Sequence, residues 1–360
     1  MSAKGPSSVA AVTRLADLLY LRLLLKLLQC RDFLVMIAGN LLACLPTMNK
    51  TAHVAESAAG LIGQTPVVEL SRIWGGPGRI LAKAEFLLPG GSVKDRAARA
   101  IIEAARADGR LKPSAPVVEM TSGNMGAGLA VVCAALGHPL VVTMSAGNSL
   151  QRARMLEALG AEVILVPQIA GEPGQVTGPD IAAAARIAEQ LASELGGFYV
   201  DQFNAPEGKA AHESGTAREL LDAAGGSIDG WTACVGTGCT FLGVARALRM
   251  ANPSVMCGAV EPAGCQVLAG QAVTKAKHLL QGAGYGSVPP MWEPELMSIS
   301  IAVSDEEAAI WKQRLAIKEG LHVGFTAAAN VCAAAKMLSN GVLKPNATVA
   351  TVLCDTGLKY

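Results

Sequence analysis

The chain has 360 residues, 51% of them hydrophobic, 16% charged and 4% aromatic, with a formal net charge of +1. That length accommodates two domains and a large core, while the sparse, balanced charge excludes the basic footprint of a nucleic-acid binder. The 39 glycines, spread among Ala-rich helical patches, suit a tightly packed α/β protein rather than a β-sandwich. Nine cysteines, odd in number, widely spaced and without a CxxC pair, signal neither a zinc site nor a disulfide framework. Several lie in apolar, strand-like runs where a thiol behaves as a small hydrophobe. A reducing compartment, the cytoplasm, is the expectation. His53, His138, His212, His278 and His322 are scattered without ligand spacing, so they read as structural or surface residues and no metal is expected.

Residues 1–50 differ in composition from the rest of the chain. Leu15 to Pro46 is leucine-rich but interrupted by Arg22, Lys26, Arg31 and Asp32, and its longest uncharged run, Phe33 to Thr47, is too short to span a bilayer as a helix. Three readings stand: a helix on a membrane surface, with contact through residues 15–46; a targeting segment; or an extension upstream of a start at Met48. The extension or a peripheral helix is the preferred reading, and a transmembrane anchor is not expected.

From residue 51 strands and helices alternate. Arg79–Phe86 reads as a strand, and 95–109 as a helix with Ala97, Ala98, Ala100, Ile101 and Ile102 available to pack. Strands are expected at 117–120, 139–144, 162–166, 198–203, 231–235, 255–261 and 347–354. Helices are expected from 121 to 136 and over 149–159, 180–195, 207–223, 241–250, 305–319 and 326–338. Continuous Val/Ile-rich strands alternating with helices predict parallel sheets covered on both faces.

The stretch Pro89-Gly90-Gly91-Ser92-Val93-Lys94-Asp95-Arg96 sets a lysine at a strand-to-helix junction. Flanking glycines let a ligand approach closely, so Lys94 reads as a phosphate binder or Schiff-base former, against the alternative of an ordinary surface lysine. Gly236-Thr237-Gly238-Cys239-Thr240 also joins a strand to a helix. Its N–H groups, hydroxyls and helix N-terminus form a cradle for a phosphate, although a plain tight turn fits the same pattern. It lacks the Lys-Ser/Thr ending of a nucleotide-triphosphate loop. Thr121-Ser122-Gly123-Asn124 offers donors to an anion such as a carboxylate, or simply caps a helix.

In this order the segments resemble the cysteine synthase and cystathionine β-synthase family, the fold-type II pyridoxal-phosphate enzymes. The matching stretches are Ile62-Gly-Gln-Thr-Pro66, Pro89–Arg96, Thr121-Ser-Gly-Asn124, Gln202-Phe203-Asn204 and Gly236–Thr240. Ala259-Val-Glu-Pro262, Gln281-Gly-Ala-Gly284, Glu319-Gly320 and Asp355-Thr-Gly357 complete the set. The resemblance covers roughly residues 55 to 360, and no regulatory domain is expected after Tyr360. It implies two open, mostly parallel-sheet α/β domains facing a cofactor cleft, in a homodimer. Residues 51–90 would be an entry segment packing with the larger domain, 91–200 the smaller, substrate-gripping domain, and 201–360 the larger domain holding the cofactor phosphate.

The resemblance further implies that Lys94 forms the Schiff base with pyridoxal 5'-phosphate and that Asn124 contacts its ring oxygen. Gly236, Thr237, Gly238, Cys239 and Thr240 would hold the phosphate, and Thr326 would set a hydroxyl against the pyridine nitrogen. Thr121, Ser122, Gly123, Met125 and Gln202 would hold the substrate. The cofactor is an electron sink for a Cα carbanion, and a lysine whose pKa is lowered by burial can remove the Cα proton. A hydroxyl at Thr326 would not hold a proton on the ring nitrogen, which favours loss of a β-leaving group over transamination. The implied activity is β-replacement on a β-substituted L-serine through an aminoacrylate: O-acetylserine and a small nucleophile, sulfide, giving cysteine.

Four departures bear on the substrate. Met125 stands where the family carries threonine, and Cys239 where it carries a second glycine. Ala327-Ala328 replaces a Ser-Gly, and Gln151-Arg152-Ala153 a more charged Glu-Arg-Arg in the family's mobile segment. Cystathionine formation, diaminopropionate-type synthesis, β-elimination, a pyridoxal-phosphate-binding homologue without turnover and a membrane-surface role for the N-terminus stand as the alternatives.

Overall fold

In a computed structural model of the chain, residues 54–170 and 176–359 are described; the readings of residues 1–50 lie outside them. Chain entry is through β1 (Val67–Glu69) and β2 (Arg79–Lys83), followed by α1 (Lys94–Ala107). The chain then builds β3 (Val117–Met120), α2 (Asn124–Leu136), β4 (Leu140–Ser145), α3 (Leu150–Ala158), β5 (Ala161–Val166), α4 (Gly178–Glu194) and β6 (Phe198–Tyr199). It continues through α5 (Pro206–Ala211), a π-turn His212–Thr216, α6 (Ala217–Ala224), β7 (Gly230–Cys234), α7 (Cys239–Ala251) and β8 (Met256–Pro262). Last come β9 (Ile299–Val303), α8 (Asp305–Arg314), a π-turn Leu315–Glu319, α9 (Phe325–Ser339) and β10 (Thr348–Val352).

The strands form two sheets, β1-β2-β10-β7-β8-β9 and β5-β4-β3-β6. The smaller is parallel throughout. The larger is parallel except at its edge, where β1 runs antiparallel to β2. The last strand, β10, lies between β2 and β7, so the larger sheet closes only after the small sheet has been inserted between β2 and β7. β4 and β10 are buried at every position, as continuous apolar strands with both faces covered must be.

Small side chains set the spacing in the larger half. In α9, Ala327 to Ala329 and Ala333 to Ala335 are all buried, and the helix lies against the sheet with Val331 and Met337 filling the same core. Each such larger side chain stabilises the fold by roughly 1.5–3 kcal/mol relative to exposure. Asn330 pins this helix to the sheet: its Oδ1 accepts from the Cys234 N–H at 2.7 Å, and its Nδ2 donates to the Val352 carbonyl at 2.9 Å.

Some elements differ from expectation. The strands expected over 79–86 and 198–203 end at Lys83 and Tyr199, and the edge strands β1 and β9 lie outside the expected set, although β9 alternates Ile299, Ile301 and Val303. The helices expected at 207–223 and 305–319 each contain a π-turn. Among the described residues no helix is long and apolar enough to cross a membrane.

Candidate active site

Lys94 is the first residue of α1, half-buried, and the helix begins without a side-chain cap. α2 begins at Asn124 and α7 at Cys239, also without a side-chain cap. These helix starts adjoin. A Cβ added at Gly128 in the first turns of α2 would lie 3.1 Å from the Asp95 backbone, and one at Gly208 would lie 3.1 Å from Cys239 Sγ and 3.4 Å from Ala97 Cβ. The N-terminal N–H groups of a helix lack intrahelical acceptors and carry its positive dipole end. The place where the starts of α1, α2 and α7 come together is therefore suited to an anion.

Burial lowers the pKa of Lys94, and the neighbouring Cys239, Glu119 and Cys354 act in the opposite direction without overcoming it. These neighbours place the amine between the start of α7, the end of β3 and the segment after β10. An amine shifted this way has more of its neutral, nucleophilic form near neutral pH.

Around it the 236–240 loop is shaped by backbone requirements. A Cβ at Gly236 would sit 2.2 Å from the Gly282 carbonyl oxygen, and Gly238 has φ +91°. Only glycine meets both conditions. Behind this loop, the buried His212 contacts Thr240 Oγ1 through Nε2 at 3.2 Å and Thr216 Oγ1 through Nδ1 at 2.9 Å. Burial, reinforced by Arg96 and Lys94, pushes its pKa down to about 3, so the imidazole is neutral. The sequence reading of His212 as structural omits this contact with the loop, because 28 residues of chain separate it from Thr240.

On the opposite wall, the Thr121 hydroxyl accepts from the Gly123 N–H at 3.3 Å. Gln202 donates from Nε2 to Glu119 Oε1 at 2.9 Å. Glu119 is fully buried, its Oε2 has no hydrogen-bond partner among the described residues, and burial pushes its carboxyl up to about 8, with Gln202 only partly offsetting this. That shift favours its protonated form near neutral pH. Arg152 on α3 reaches Ser122 Oγ at 3.4 Å and Asn148 Oδ1 at 3.5 Å, and its other amino group donates to Gln281 Oε1. The Gln281 carbonyl accepts from Thr326 Oγ1 at 2.9 Å. Arg152 therefore links the loop at 122 to the segment that holds Thr326.

Met125 departs from its expected place. Its side chain is 2% exposed and packs in the core with Leu129 and Leu156, so it supplies helix bulk rather than a cleft wall. The glycines before Lys94 also serve another purpose: a Cβ at Gly90 would fall 2.4 Å from Asp95 Oδ1, and the Gly90 N–H donates to Asp95 Oδ2 at 2.6 Å. They accommodate internal contacts rather than ligand approach. Glu119 and Lys359, which Asn124 contacts, belong to no motif, and Arg152 stands in the motif analysis only as part of the departure Gln151-Arg152-Ala153. Each acts through a partner distant in sequence.

Beneath Lys94 lies a network of buried charge. Arg96 binds Glu85 at 2.7 Å and Glu219 at 2.8 Å, and the fully buried Lys83 binds Glu219 at 2.7 Å. Thr65 Oγ1 donates to Glu85 at 2.6 Å. The two cations and two carboxylates balance, which is the condition for burying them.

The donor set fits a phosphorylated pyridine aldehyde: an anion cradle with no room for side chains at Gly236, a low-pKa amine and an amide at Asn124. Residues 58–355 match the family model described as pyridoxal-phosphate dependent enzyme. A cysteine synthase from Staphylococcus aureus is 38% identical over 310 residues, 85% of this chain and 95% of the relative. Among solved structures, a cysteine synthase from Entamoeba histolytica superposes with a TM-score of 0.78 at 29% identity, covering 88% of this chain and 92% of its own. The O-acetylserine dependent cystathionine beta-synthase from Helicobacter pylori gives 0.77 at 29% identity, covering 86% and 97%. The match runs from the entry segment through both sheets to the residues after β10, and on that extent the chain belongs to the pyridoxal-phosphate dependent enzyme family and is an enzyme that uses pyridoxal 5'-phosphate.

Proposed function

We propose that this enzyme carries out β-replacement on a β-substituted L-serine, converting O-acetylserine and sulfide to cysteine. The observation that carries the reading is Lys94, an amine of lowered pKa where the starts of α1, α2 and α7 meet. When bound, pyridoxal 5'-phosphate supplies an electron sink that stabilises negative charge at the substrate Cα.

The chain's own residues supply the rest. Gly236, Thr237, Gly238, Cys239 and Thr240 hold the phosphate at the N-terminus of α7. Asn124 directs its amide to the ring oxygen. Thr326 would turn its hydroxyl from the Gln281 carbonyl to the ring nitrogen. Thr121, Ser122, Gly123 and Gln202 bind the substrate carboxylate, Met125 contributing only its backbone. Lys94 Nζ, neutral in part because burial disfavours its charge, removes the Cα proton and returns it at the end of the cycle. Arg152, through Ser122 and Gln281, draws the two walls together and excludes water.

In this reading the half built on the β5-β4-β3-β6 sheet grips the substrate, the chain works as a homodimer, and it resides in the cytoplasm. The described cysteines are free thiols, in keeping with a reducing compartment. A second reading, cystathionine formation, is favoured by Arg152: its guanidinium at the cleft edge would receive the carboxylate of an amino-acid thiol.

The test is product analysis. The pyridoxal-phosphate-loaded enzyme given O-acetyl-L-serine with sulfide, and separately with homocysteine, is expected to release cysteine in the first case, and Lys94→Ala to release none. No cysteine from the intact enzyme, with cystathionine formed from homocysteine, would replace the first reading by the second.

A further inference from the structure

Asn124 has one amide group and two charged neighbours. Its Oδ1 accepts from Lys359 Nζ at 2.7 Å, and its Nδ2 donates to Asp355 Oδ2 at 2.8 Å. The same ammonium donates to the Gly90 carbonyl at 2.7 Å, in the turn that leads to Lys94. Lys359 sits in the 3-10 turn Gly357–Lys359 and runs along Gly91, where an added Cβ would come within 3.4 Å of Lys359 Cε and 3.5 Å of its Nζ. Gly91 has φ +71° as well, so the second glycine of the motif makes room for this lysine.

The arrangement fixes which end of the amide faces which way. A cation on the oxygen side and a carboxylate on the nitrogen side admit one orientation. The flipped amide would set N–H against ammonium and C=O against carboxylate. With Oδ1 and one N–H so engaged, Asn124 keeps a second N–H. An N–H suits an anionic oxygen; a carbonyl would repel one.

We propose that Lys359 is a positioning residue: through Asn124 Oδ1 it locks the amide so that its remaining N–H faces the cofactor's ring oxygen, and through Gly90 it ties that amide to the turn bearing Lys94. The proposal rests on the assignment of Asn124 to the ring oxygen. Its consequence is that an enzyme without the Lys359 cation holds the cofactor with an amide free to present either end.

The test compares wild type, Lys359→Met, Lys359→Arg, Asn124→Ala and the double variant Lys359→Met/Asn124→Ala. For each, the dissociation constant of pyridoxal 5'-phosphate, the visible absorption band of the bound cofactor and the melting temperature of the cofactor-free protein are measured. Lys359→Met is expected to weaken cofactor binding about tenfold and to shift the band. Lys359→Arg restores both, and the double variant binds no more weakly than Asn124→Ala alone. Unchanged binding and band in Lys359→Met, alongside a loss in Asn124→Ala, would overturn the proposal and leave the assignment of Asn124 standing. No loss in Asn124→Ala would overturn that assignment instead. Losses that add in the double variant, or that follow the melting temperature across all variants, show a structural lysine and overturn the positioning role. Lys359→Arg keeps the comparison informative if Lys359→Met does not fold, since restoration requires wild-type affinity and band from a different cation.

Discussion

The sulfur of Cys239 fits at the start of α7 because Gly208, opposite it on α5, has no side chain: a Cβ there would lie 3.1 Å from Sγ. A thiol at the first position of α7 is thus matched by a missing side chain on a neighbouring helix. Changing Gly208 to Ala gains roughly 0.5–1 kcal/mol of helix propensity and loses about 1–3 kcal/mol to overpacking against Cys239. The net expectation is a loss of about 1 kcal/mol. In a Cys239→Gly background the sulfur clash is gone and the same change should become neutral or stabilising. Urea unfolding of the four proteins measures the coupling; strict additivity would show that the two sites do not press on each other.

Glu119 gives the folded state a pH dependence with a definite sign. Its carboxyl is raised from the usual carboxylate range to about 8. Its contribution is therefore fully present below the unfolded value near 4.5 and lost as pH rises through about 8, because the folded state binds a proton that the unfolded state has released. Glu119→Gln keeps an oxygen for the Gln202 amide but cannot ionise. Melting temperatures from pH 5 to 9 should fall more steeply for wild type than for this variant. Parallel curves would remove Glu119 as the source.

The ion network under Lys94 responds in the opposite sense. Burial tends to raise the Glu219 carboxyl, but hydrogen bonds from Arg96 and Lys83 outweigh it and hold the group at about 2. The stabilisation is present above the ordinary value of 4.5 and lost as pH falls toward about 2. Removing the carboxylate leaves the buried Lys83, among the described residues, with Glu85 at 3.9 Å as its one carboxylate partner, beside the Thr65 carbonyl and hydroxyl. Glu219→Ala should cost about 3–5 kcal/mol at pH 7, the penalty of an uncompensated buried charge. It should also flatten the acid limb of the stability profile. Chemical denaturation at pH 7 and pH 3 measures both.

Arg152 is expected to matter for capture of substrate more than for the bond-making step. It joins Ser122 and Asn148 on one wall to Gln281 on the other. Arg152→Ala should raise KM for the amino-acid substrate about tenfold, equivalent to about 1.4 kcal/mol, with a smaller change in kcat. Steady-state kinetics in which kcat falls and KM stays constant would show instead that Arg152 acts in the chemical step.

Much of the architecture was legible because it is written locally. Val117–Met120, the strand at 140–145 and the helix at 239–251 lie within a residue or two of their expected bounds, since apolar runs and glycine-bounded turns act over a few residues. The lysine at 94, the donor loop at 121–124 and the cradle at 236–240 were recognisable for the same reason: each is a short run of backbone whose residue types dictate its conformation. Residue types read over a few positions therefore carry the family and the alternation of strand and helix.

How those loops are held depends on contacts between distant parts of the chain. Met125 turns into the core because the first helical turn after Asn124 packs on Leu129 and Leu156, a direction that no motif encodes. Gln202 finds its support in Glu119, and Asn124 in Asp355 and Lys359, across 83, 231 and 235 residues of chain respectively. The strand β10 that brings the last of these residues to the cleft does so only by pairing between β2 and β7. Partners so far apart are fixed by the closure of the sheet and by the energetic need to satisfy buried polar groups. Neither condition is visible in the residues that flank them.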